Sequence, residues 1–186
     1  MAKSRKIKIP TMTPDEERFL AFEGLVQWTQ AVVAQSARAS EATDHVRSTQ
    51  QQTEDRQQRR QALHALHSEC HFFAIAANKL LEYRDWVRTF GLCSSVDFGE
   101  VDRFSEQDIR DLRNMREHVF DYFTGGGNAK DRWVVQTPQY RADASSVVGT
   151  LIGGRLDWVA FGAAAERLLP QLLAEPVPYP TRYLPS

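Results

Sequence analysis

Leu63, Leu66, Cys70, Phe73, Ala77, Leu80 and Val87 recur at steps of three, four or seven residues. That spacing lines them up along one stripe of a single long α-helix. A helix with one apolar stripe must bury it against other elements, so this segment commits the chain to a layer of packed helices. The helix should stop near Phe90-Gly91, where glycine takes the left-handed conformation of a C-cap.

The flanking segments extend the same reading. Thr13-Pro14-Asp15-Glu16 makes a capping box, with Thr13 as N-cap and Glu16 reaching back. Phe19, Phe22, Val26 and Val33 follow on one face of the helix it opens. Residues 40–61 are almost wholly polar and read either as a solvated helix extension or as a mobile connection. Ser105-Glu106-Gln107-Asp108 opens a third helix that should run to about Phe123 and stop at Gly125-Gly126-Gly127. Trp133-Val134-Val135 and Thr150-Leu151-Ile152 are β-prone, and Gly153-Gly154 reads as a tight hairpin turn. A last helix begins after Asp157, with Trp158, Phe161, Ala165, Leu168 and Leu172 on one face, and Pro170 should kink it or end it early.

The expected architecture is mainly all-α, an antiparallel bundle of four or more helices with a small C-terminal β-hairpin near residues 133–156. One domain is expected over 13–175, after a flexible lead-in at 1–12 and before a Pro-rich extended tail at 176–186. In 186 residues the hydrophobic share of 42% and charged share of 25% are globular values that exclude wholesale disorder. The net charge of −1 excludes a protein that coats nucleic acid through its overall field, though not a local basic site. The uncharged stretch Gly24–Ala37 is too short and too polar to span a bilayer, and no apolar run follows the basic Met1–Pro10. Cys70 and Cys93 make neither a disulfide framework nor a metal-binding pair. A cytoplasmic protein without membrane attachment is therefore expected.

The chemistry concentrates between Ile109 and Phe123. On a helical wheel Leu112, Arg116, Val119, Phe120 and Phe123 fall within about 60° of one direction, the expected core side. Arg110, Asn114, Glu117, His118 and Asp121 gather across the wheel, with Arg113 at the edge. Such a face is commonly solvated and laced with charge pairs, and Arg113 and Glu117 have the spacing of one. His118, however, is the only histidine of this helix and its imidazole suits proton transfer, while Arg113 and Arg110 offer forks for phosphate oxygens. Arg116, inside the apolar stripe, should snorkel or find a carboxylate such as Glu82.

Arg113-Asn114, followed by His118, resembles the Arg-polar-x-x-x-His signature of the HEPN superfamily. The order matches too, since the motif opens a late helix after a long one carrying Phe72-Phe73-Ala74-Ile75-Ala76-Ala77-Asn78-Lys79-Leu80, and the likeness covers about residues 14–124. The resemblance implies a homodimer whose motif helices face each other across a cleft. It implies either a metal-independent endoribonuclease, of toxin or defence type, or a non-catalytic module that binds a nucleotide or a protein partner. An antitoxin or a nucleotidyltransferase is the partner that such a toxin implies. His118 would serve as general base or acid, Arg113 would stabilise phosphoryl charge, and Asn114 would orient an oxygen; no cofactor is needed. The near-neutral net charge departs from the broad basic surface usual in RNA-cleaving proteins.

Two other groups invite weighing. His64, His67, Cys70 and His71 share the second helix at three- and four-residue steps, but one helix rarely supplies a full ligand set, and partly buried or interfacial histidines are the expectation. Arg56, Arg59 and Arg60 suit nucleic acid, but the neighbouring Glu54 and Asp55 point to a solvated face.

Overall fold

The structure, a computed structural model, describes residues 12–180. Most of the lead-in and the last six residues of the tail lie outside the described residues. Among the described residues the fold is mainly helical, as expected. Helix α1 spans Pro14–Gln52 and α2 spans Arg56–Thr89. The Thr13–Glu16 capping box forms in both directions, with the Thr13 amide donating to Glu16 Oε2 at 2.8 Å. The polar stretch resolves as a helix extension: α1 runs through it to Gln52, and residues 53–55 alone make the turn into α2. At about 1.5 Å per residue the two helices are roughly 58 and 51 Å long.

α1 and α2 lie antiparallel, with Gln35 Nε2 donating to the Glu69 carbonyl at 3.1 Å and Gly24 set against the Tyr83 ring. The buried stripe of α1 is Phe22, Leu25, Thr29, Val32, Ala39, Val46 and Thr49. Its rhythm of three, four or seven residues continues into the polar extension, which is why that extension stays helical. In α2 the expected stripe is buried from Leu66 to Val87, but Leu63 is exposed. α1 offers few apolar partners near its end, so nothing there covers Leu63.

Three short helices follow: α3 (Gly99–Asp102), α4 (Glu106–Glu117) and α5 (Val119–Phe123). Buried Arg84 ties α2 to them, donating to Asp102 at 2.8 Å and Glu106 at 3.1 Å. The β segment is richer than one hairpin. β1 (Val134–Gln136) pairs with β2 (Arg141–Asp143), and β3 (Val147–Val148), β4 (Leu151–Ile152) and β5 (Leu156–Asp157) form a second antiparallel sheet. The Gly153-Gly154 turn lies between β4 and β5 as expected. Gly153 has φ +58°, and a Cβ there would sit 2.6 Å from Leu112 and 3.1 Å from the Ala144 Cα, so only glycine fits.

The last helix, α6 (Trp158–Ala174), starts on Asp157, whose side chain accepts from the amides of Val159 and Ala160 at 3.0 and 3.1 Å. It buries Trp158, Phe161, Ala165, Leu168 and Leu172 against α1 and α2. Pro170 does not end it. Pro170 and Glu166 are both exposed, so the carbonyl that loses its helical bond faces water. Among the described residues no helix is long and apolar enough to cross a membrane.

Candidate functional site

Ser105 caps α4 by accepting from the Asp108 amide at 3.2 Å, and Ile109, Leu112 and Met115 then anchor the helix in the core. The expected single helix to Phe123 is broken at His118, where φ −113° and ψ 33° separate α4 from α5. The core side of the wheel holds for Leu112 and fails at Phe120 and Phe123. Phe120 and Phe123 are 74% and 67% exposed, whereas Asp111 is buried and Tyr122 packs against the core. The β segment is the reason. It covers the side on which Arg132 pairs with Asp111 and Tyr122 stacks on Trp133 at 5.1 Å.

This rotation leaves Asn114 and His118 on one open groove of about 470 Å³, with Asp111, Asp121, Tyr122 and Gly127–Ala129 as its other walls. The His118 ring is 65% exposed, and its Nδ1 lies 3.9 Å from Asp121 Oδ2. Arg113 does not line the groove. Its Nη1 donates to Asn114 Oδ1 at 2.8 Å and its Nε lies 3.1 Å from Glu117 Oε2, the pairing that the four-residue spacing allowed. The three motif residues are thus linked through Asn114: Arg113 fixes the amide, and the amide shares a wall with His118. An imidazole open to solvent beside a fixed amide can move a proton on a bound ligand. Sequence reading missed Asp111, Tyr122 and Asn128 as walls of this groove, because the fold of 127–133 brings them there; Asp121 was legible, three residues from His118 on one face.

Arg116 is corrected. It neither snorkels nor meets Glu82, which instead holds Asn78 at 2.6 Å and Lys79 at 2.5 Å. Its guanidinium donates to the carbonyls of Ala144 at 2.9 Å, Ser145 at 3.1 Å and His67 at 2.9 Å, joining α4 to α2 and to the β segment. Arg116→Ala would strand those carbonyls and is expected to cost about 2–4 kcal/mol in urea unfolding. Arg113→Ala, at a half-exposed site with surface partners, is expected to cost under about 1 kcal/mol.

The helix-2 histidines do not converge with Cys70. Cys70 is fully buried, and burial pushes its thiol up to about 11. Among the described residues no group of three His, Cys, Asp or Glu is placed to hold a metal ion. His67 and His71 instead line a second groove, of about 300 Å³, with Ser68, Phe72, Arg116, Val119 and Ser145. Burial, then the nearby Arg116, holds both imidazoles below their ordinary value. No protein-family model, curated protein or solved structure matches the chain.

Proposed function

We propose that this chain is a HEPN-like helical bundle acting in the cytoplasm as a metal-independent endoribonuclease, of toxin or defence type. The observation that carries the reading is the shared wall of Asn114 and His118, with Arg113 bonded to the same amide. A ribose 2′-hydroxyl attacks its neighbouring phosphate and the P–O5′ bond breaks, while His118 takes the hydroxyl proton or supplies one to the leaving 5′-oxygen. Arg113, which stands outside the groove of its own chain, serves the phosphoryl charge where two copies meet. Exposed Phe120 and Phe123, two and five residues from His118, offer the apolar surface on which a second copy packs about a two-fold axis. An antitoxin or nucleotidyltransferase partner belongs to the same proposal.

The second reading is a non-catalytic module that binds a nucleotide or a protein. The carboxylates of Asp111 and Asp121 favour its protein-binding form, because they stand in the groove where the phosphate of an RNA or a nucleotide would approach. A mixed single-stranded RNA pool, incubated with and without EDTA, separates the two. Cleavage that survives EDTA and leaves 2′,3′-cyclic phosphate ends supports the nuclease. Cleavage lost with EDTA overturns this mechanism, and no cleavage of any RNA puts the binding module first. Light scattering that shows a monomer at micromolar concentration would count against the paired site.

A further inference from the structure

The groove beside Arg116 does not end at His71. It shares His67 and Ser68 with a broader depression lined by Arg56, Arg59, Arg60, Leu63 and His64. Together they follow α2 from Arg56 to Phe72, about 24 Å along the helix. We infer that this face of α2 is a second nucleic-acid-binding site, a track for one single strand, separate from the His118 groove.

Charge is the first support. Among the described residues neither Arg56 nor Arg60 has a hydrogen-bond or ion-pair partner. Two like charges one turn apart on a helix repel mildly. Of the two acidic neighbours that pointed to a solvated face, Asp55 is turned to cap the Gln57 amide at 2.8 Å, and Glu54 makes no ion pair with either arginine among the described residues. Arg59 spends its guanidinium on the Thr53 carbonyl at 2.7 Å and the Gln50 carbonyl at 3.3 Å, which closes α1 and leaves its charge in the depression. At the other end Arg116 donates only to carbonyls, with the Asp143 carboxylate acting on it through space, and its buried Nε has no hydrogen-bond partner.

Apolar surface is the second. Phe72, 55% exposed, stands at the end of this row of cations, and exposed Leu63 lies within it. Cations that follow a backbone beside an open aromatic face are what a single strand needs, since phosphates pair with the one and any base stacks on the other. The length selects several nucleotides over one. An acidic peptide would use the arginines but would leave Phe72 idle.

Protonation adds a dependence on pH. His67 faces Arg116, His64 and Asp143, and His71 faces Arg116 and Glu117. A phosphate in the groove favours both charged imidazoles, so binding takes up protons and tightens as pH falls into the lowered range of the two histidines.

The test is fluorescence anisotropy of a short labelled oligouridylate on the His118→Ala protein, so that cleavage and its failure do not enter. Binding should weaken with salt, and Arg56→Gln with Arg60→Gln should reduce the slope of log affinity against log salt by about 1.4. Phe72→Ala should weaken binding roughly 5- to 150-fold with the slope unchanged. Absence of binding overturns the inference, as does binding that both changes leave intact. Equal competition by polyglutamate, or equal affinity for duplex, would also overturn it.

Discussion

His118→Ala is expected to lower RNA cleavage by about 10²–10⁴-fold, the usual contribution of a positioned proton-transfer group. Stability should change by less than about 0.5 kcal/mol, because the ring is mostly in water and His118 closes α4 through its backbone amide, with no side-chain cap on α5. The two readouts therefore diverge by orders of magnitude. Arg113→Ala should follow the same pattern, and Arg113→Lys should restore the charge without the fork that now grips Asn114. Initial rates on one RNA, set beside urea unfolding of each variant, decide it. Undiminished cleavage in His118→Ala would remove His118 from the chemistry.

The largest effect on the fold is expected from Phe161→Ala. Phe161 is fully buried on α6, 4.8 Å from the Phe104 ring and 6.2 Å from the Phe73 ring, both edge-on. It thus holds together α2, α6 and the connector between α3 and α4. Truncation removes the transfer energy of the ring and leaves a void that long rigid helices close poorly, at a cost of about 3–5 kcal/mol. For a chain of this size that is roughly 6–20 °C in melting temperature. Circular dichroism melts measure it, with Phe72→Ala, half in solvent, shifting far less. A loss under about 1 kcal/mol would show that the Phe73–Phe104–Phe161 cluster is not the centre of the core.

The helices were legible where one stripe met one partner. Leu66 to Val87 and Trp158 to Leu172 are buried as their spacing requires, and Thr13, Ser105 and Asp157 cap where they were expected. The candidate site was legible in the shared face of Asn114, His118 and Asp121 but not in its other walls. The wheel aligned Phe120 and Phe123 with Leu112 because apolar side chains normally point inward, yet the covering element arrives from residues 129–157. That element buries Asp111 by supplying Arg132, so a carboxylate faces inward while two phenylalanines face water.

Local signals thus determined by themselves which segments are helical, where they begin, and that His118 and Asn114 share a face: caps and three- to four-residue steps act within a few turns. Tertiary structure alone decided the break at His118, the placement of Arg113 outside the groove, and the fate of Arg116. The physical reason is separation along the chain. Arg116 is held by carbonyls 28, 29 and 49 residues away, and no periodicity near Arg116 carries that information.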